Sequence, residues 1–110
     1  MIAYADFEKV DIRVGKIVSV EDFVEARKPS YKIQIDLGEE IGIKKSIGQF
    51  KANYTIKELE GMLVACVVNF EPRQIGPSIS EVLTLGFADG QGNPILITPT
   101  QNVPLGGKLY

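Results

Sequence analysis

Histidine is absent from the 110 residues, and cysteine occurs once, at Cys66. Without imidazole there is no His-activated nucleophile, no His-containing zinc site and no side chain that titrates near neutrality at its ordinary pKa. A lone thiol can form neither an internal disulfide nor a multi-cysteine metal cluster, and its place inside the apolar run from Leu63 to Val68 marks it as a small core residue. Long apolar stretches are also missing. The longest, Met62 to Val68, falls far short of the ~20 residues needed to span a membrane as a helix. The N-terminus lacks the basic start and apolar core of a secretory signal, so a reducing cytoplasmic setting without membrane insertion is expected. No phosphate-binding glycine loop is present, because Gly86 to Gly92 lacks both the Lys-Ser/Thr ending and a following helix. The pairs Glu39-Glu40 and Glu21-Asp22 sit in turn-like connections, where carboxylates are solvated rather than set up for acid–base work. These absences lead to a reading of no enzyme, no cofactor and no metal site.

What is present fits one compact domain over residues 1–110, with no internal repeat and no low-complexity tract. A net charge of −2 argues against wholesale attraction to phosphates, but the charge is unevenly spread. Residues 44–57 hold Lys44, Lys45, Lys51 and Lys57 with no acid, so an acidic chain can still carry a basic face.

Apolar alternation runs through Val10-Asp11-Ile12-Arg13-Val14 and resumes with altered phase at Ile17 to Val20, which predicts one long strand bent at Gly15. After a charged connection, Lys32 to Leu37 alternates, with Ile33, Ile35 and Leu37 inward. A turn at Gly38-Glu39-Glu40 leads to a third strand at Ile41 to Ile47. Thr55 and Glu58 have capping-box spacing, so a short helix should start at Thr55 and stop at Gly61. The run Leu63 to Val68 reads as a strand buried on both faces, and Val82 to Leu85 as a further strand. The proline-rich end, Pro94 to Tyr110, suits an edge strand and an arm. Five strands with one short helix between the third and fourth is the layout of an all-β OB-fold barrel, here with N- and C-terminal extensions.

Two stretches could bind a ligand. In 44–57 the lysines interleave with Phe50 and Tyr54, which reads either as a cationic surface with stacking rings or as a solvated edge with two core aromatics. The second is "NFEPRQIGPSISEVLTLG" (69–86). Its Pro- and Gly-shaped loop presents Arg73, Gln74, Ser80 and Glu81, a set able to meet phosphate or base edges, or simply a polar surface loop. At the chain ends, Ile2, Tyr4, Phe7, Leu105, Leu109 and Tyr110 are apolar groups that either pack on the barrel rim or form a subunit interface. The interface is the reading favoured here.

"VDIRVGKIVSVEDF" (10–23) and "GMLVACVVNFEPRQIGPSISEVLTLG" (61–86), with "DFEKVDIRVG" at the start and "EIGIKKS" in the third strand, resemble the tRNA-binding domain family. The tail Asn102-Val103-Pro104-Leu105-Gly106-Gly107 belongs to the same likeness, which covers essentially the whole chain. The resemblance implies an OB-fold homodimer, joined through extensions at about 1–9 and 90–110, that binds tRNA or other structured RNA. For the family's free-standing members it also implies an export-related chaperone role, holding unfolded preproteins or peptides. Carried over by position, the RNA-binding residues would be Lys32, Lys44, Asn69, Arg73, Ser80 and Glu81. The chain departs from many relatives at Gln74, where they carry a second basic residue, and at Ser80-Glu81-Val82, where they carry Ser-x-Gly-Met.

Overall fold

The alternation that opens the chain becomes β1 (Ile12–Phe23), which hydrogen-bonds to β2 (Ser30–Asp36) over its second half and to β4 (Leu63–Val67) over its first. These assignments come from a computed structural model that describes all 110 residues. β3 (Ile43–Gly48) pairs with β2, and β7 (Leu83–Thr84) with β4, giving an antiparallel sheet in the order β3-β2-β1-β4-β7 that curls until its two edge strands meet. Three short helices punctuate it: α1 (Tyr4–Glu8), α2 (Gly38–Ile41) and α3 (Ile56–Leu59). The third lies between β3 and β4, as expected. Thr55 Oγ1 accepts from Glu58 N–H at 3.2 Å while Glu58 Oε1 accepts from Thr55 N–H at 2.9 Å, so the capping box forms in full. No helix is long and apolar enough to cross a membrane.

The register of β1 breaks three residues past the glycine. Ile17 faces Ile35 and Ser19 faces Gln34, so Val18 is the extra residue of a bulge. Gly15 lies where β1 passes from β4 to β2 and is closely packed: a Cβ there would press on the Ile35 side chain and stand 2.7 Å from Leu37 Cδ2. The segment Gly38–Ile41, expected as a turn, is one helical turn. The loop 69–82 contains a small hairpin, β5 (Arg73–Ile75) with β6 (Ser78–Ser80), and β8 (Gly86–Ala88) pairs with β9 (Pro94–Leu96).

Apolar side chains form two clusters on opposite faces of the same strands. The main core centres on Ile17, Ile33, Ile35, Leu37, Val64 and Cys66. A smaller one joins Ile12, Ala65 and Val67 to Phe7, Val10, Leu85 and Ile97. Alternate residues of β4 enter different clusters, which is why its sequence is apolar throughout. Phe7 therefore packs locally, whereas Ile2, Tyr4, Leu109 and Tyr110 remain exposed.

The C-terminal arm returns along β1. Gly106 N–H donates to Val14 O (2.8 Å), Val14 N–H to Gly107 O (3.0 Å) and Leu109 N–H to Ile12 O (2.8 Å). Gly106 has φ +87, and a Cβ on it would stand 2.6 Å from Leu37 O, so this approach requires glycine. The Arg13 guanidinium donates to Gly106 O (2.9 Å) and to Asp11, and Asp11 also receives Lys108 Nζ at 3.3 Å. The hydrogen bond from Arg13 holds the Asp11 carboxyl below its ordinary pKa, with Lys108 adding to the effect against desolvation.

Candidate nucleic-acid interface

The barrel closes along a seam between β3 and the segment that follows β6. Glu81 N–H and Val82 N–H both donate to Lys45 O, at 2.8 and 3.2 Å. Lys45 N–H donates to Glu81 Oε1 (3.0 Å) and Ile47 N–H to Ser80 Oγ (3.1 Å), so two side chains satisfy the β3 edge that no strand ladder reaches. Inside the barrel Thr84 Oγ1 donates to Ser46 Oγ (2.8 Å), and Cys66 Sγ lies 3.8 Å from Thr84 Oγ1. Burial pushes the Cys66 thiol up to about 11. No buried side-chain nitrogen or oxygen is left without a partner.

Outside the seam lies a depression of about 470 Å³. Ile47, Phe70, Val82 and Leu83 supply its apolar lining, and Arg73, Glu71 and Glu81 its charges. A second, wider one of about 870 Å³ separates the turn between β1 and β2, with Arg27 and Lys28, from the hairpin that carries Arg73 and Gln74. Ile47 and Arg73 line both, so the two form one continuous surface. Arg73 is exposed and in no ion pair. Its fork of donors is therefore available to a ligand.

The structure brings Arg73, Ser80 and Glu81 to this surface and treats the other expected residues differently. Lys32 faces Ile47 across the β2–β3 ladder, on the outer face, where its Nζ lies 3.2 Å from Glu21 Oε1 and over the Phe23 ring. Lys44 is paired with the core residue Ile35 and so projects from the opposite face to Lys32. Lys45, opposite Gln34, holds the outer position. Asn69 ties the N-terminal segment to the end of β4: its Oδ1 accepts from Asp11 N–H (3.0 Å) and its Nδ2 donates to Lys9 O (2.8 Å). Ser80 and Glu81 each spend one oxygen on the seam. Of the two readings of 44–57, the structure realises the core one for the rings. Phe50 is buried in the main cluster and Tyr54 packs against it, receiving Leu96 N–H on its hydroxyl at 2.9 Å.

Sequence reasoning missed Arg27, Lys28 and Phe70. Arg27-Lys28 could have been found as the one basic doublet in the connection from β1 to β2, which an OB-fold sets beside the loop into its last strand. Phe70 could have been found as an aromatic just past the end of a two-sided buried strand, where the apolar pattern should already have stopped.

Comparison with known proteins matches the chain along nearly its whole length. A family model described as "Putative tRNA binding domain" matches residues 12–108. The crystal structure of CsaA chaperone protein from Picrophilus torridus superposes with TM-score 0.92 at 49% identity, covering all of both chains. That of chaperone CsaA from Bacillus anthracis str. Ames gives 0.94 at 36%, covering all of this chain and 99% of the other. A methionine–tRNA ligase of Pyrococcus horikoshii is 35% identical over 108 residues, 98% of this chain, and the chain spans about 14% of that relative's length. Matched along nearly its whole length by the family model and along all of it by two solved relatives, the chain belongs to the tRNA-binding domain family and is CsaA-like within it.

Proposed function

We propose that this protein is a non-catalytic module that binds tRNA or another structured RNA on the surface running from the β1–β2 turn across Ile47 to Arg73. The observation that carries the reading is an arginine without an acidic partner, held between two depressions by a hairpin locked to the barrel seam. Lys28 and Arg27 flank it, so a phosphate backbone would meet several cations in a row although the chain as a whole is acidic. Lys32, Ser80 and Glu81 are proposed to contribute from the same surface, whereas Lys44, on the opposite face of β3, and Asn69, which ties down the N-terminal segment, would act from outside it. Titration with bulk tRNA at several salt concentrations tests the proposal. Arg73→Ala should weaken binding and reduce the slope of log K on log salt by about one counterion. An unchanged affinity and slope would remove Arg73 from the site.

The protein is further proposed to act in the cytoplasm as a homodimer through its extensions, about 1–9 and 90–110. Ile2, Tyr4, Leu109 and Tyr110 are exposed, and an apolar groove of about 510 Å³ runs between β1, Ile97–Pro99 and the arm. Two copies would set two modest cationic surfaces side by side and raise affinity through bivalence. Sedimentation at micromolar concentration should report a particle of twice the 12.1 kDa chain mass. A monomer would overturn it.

The apolar lining of the smaller depression favours a second reading, a chaperone that holds unfolded preproteins or peptides. Binding of an unfolded preprotein that survives high salt would support it, since apolar contacts are not screened as phosphate contacts are.

A further inference from the structure

Phe70 is 55% exposed, belongs to neither apolar cluster and pairs with no other ring. It lines the same depression as Arg73. We infer that Phe70 is a stacking platform for one unpaired nucleobase, whose neighbouring phosphate is held by Arg73. The inference rests on the RNA-binding reading above and narrows it to a single-stranded element of the RNA.

Three features select this occupant. A base offers its π-face to an aromatic ring only when it is unpaired, whereas a duplex presents mainly phosphates. In the smaller depression, the one cation, Arg73, stands against Glu71 and Glu81, a balance too acidic for a dense run of phosphates but compatible with one. Carboxylates are acceptors only, so they match the amino groups on base edges. A peptide docking by strand addition, by contrast, would need an open strand edge. Here the β3 edge is used up: Lys45 N–H and Ile47 N–H donate to Glu81 and Ser80, and Lys45 O receives Glu81 N–H and Val82 N–H.

The test measures binding of a short single-stranded RNA carrying one 2-aminopurine, of its duplex, and of bulk tRNA, to the full chain and to Phe70→Leu, Phe70→Tyr and Arg73→Ala at several salt concentrations. The full chain should bind the single strand in preference to the duplex and quench 2-aminopurine emission. Phe70→Leu should weaken single-strand binding by roughly 5- to 150-fold, the range of base–aromatic stacking, with the salt slope unchanged. Phe70→Tyr should keep both affinity and quenching, and Arg73→Ala should change the slope. If tRNA binds but Phe70→Leu binds the single strand as the full chain does, or no quenching occurs, the stacking inference falls while RNA binding stands. If the full chain binds no RNA, the broader reading falls first. Loss in Phe70→Leu of salt-resistant binding to an unfolded polypeptide, with RNA binding untouched, would give the platform to peptides and overturn the inference.

Discussion

Replacing Glu81 separates its role in the barrel from any role toward RNA. Its Oε1 accepts Lys45 N–H at 3.0 Å, in a seam where β3 has no adjacent strand to satisfy that donor. Glu81→Ala leaves the N–H without its acceptor, and hydrogen bonds to charged groups contribute about 1.5–3 kcal/mol. Glu81 is only half-buried, so water recovers part of the loss and about 1.5 kcal/mol is the expected destabilisation. For a domain of this size that corresponds to a fall in Tm of roughly 6–7 °C. Glu81→Gln keeps a carbonyl oxygen in place and should cost less than about 1 kcal/mol. Ser80→Ala should add to Glu81→Ala less than the sum of the two, because both act on one seam. Urea unfolding followed by far-UV circular dichroism reads all three midpoints. Equal midpoints for Glu81→Ala and the unchanged protein would refute the seam argument. A Gln variant as unstable as the Ala variant would show that the charge, rather than the acceptor, is what matters. The Gln variant keeps the seam acceptor but turns an amide NH2 outward in place of the free carboxylate oxygen, so its RNA affinity should fall at unchanged stability; a rise would mean that Glu81 only repels phosphate.

Gly15→Ala should destabilise by about 1–3 kcal/mol, measured by urea unfolding, because its methyl would crowd Ile35 and Leu37 in a filled core. Burial raises the Cys66 thiol from about 9 in the unfolded chain to about 11 when folded, so its contribution is complete below about pH 9 and is lost as pH rises toward 11. That loss, on the order of a few kcal/mol, should be absent from the pH profile of Cys66→Ala, and an identical profile would contradict the buried thiol. Asp11 has its pKa depressed, so its hold on the arm is present above the ordinary carboxylate range and fades as pH falls through the lowered value. Asp11→Asn should speed hydrogen exchange at Gly106 and Leu109 at neutral pH, where the unchanged protein protects them. Thr55→Ala removes half of the capping box and should cost about 0.5–2 kcal/mol in thermal unfolding.

The capping box at Thr55, the core faces of β2 and the two-sided burial of β4 were legible because each depends on residues within a few positions of one another. The bulge was not. A change of phase shows that a residue is inserted, but only the partner strand says that it is Val18 and that Gly15 instead yields room to Ile35 and Leu37. The β5–β6 hairpin escaped because strands of three residues carry no measurable alternation. Lys44 and Lys45 are adjacent, and a shift of one residue in register exchanges their faces, so sequence alone could not say which one joins Lys32.

By itself the sequence determined the absence of histidine and of a second cysteine, the number of main strands, the short capped helix and, through motif likeness, the family. Tertiary structure alone decided that Ser80 and Glu81 close the barrel, that Phe50 is buried while Phe70 is bare, and that Arg73 stands without an acidic partner between two depressions. The reason is physical. Strand periodicity is a property of neighbours along the chain, whereas the pairing of a donor or the exposure of a ring depends on groups tens of residues away that only the closed barrel brings within reach.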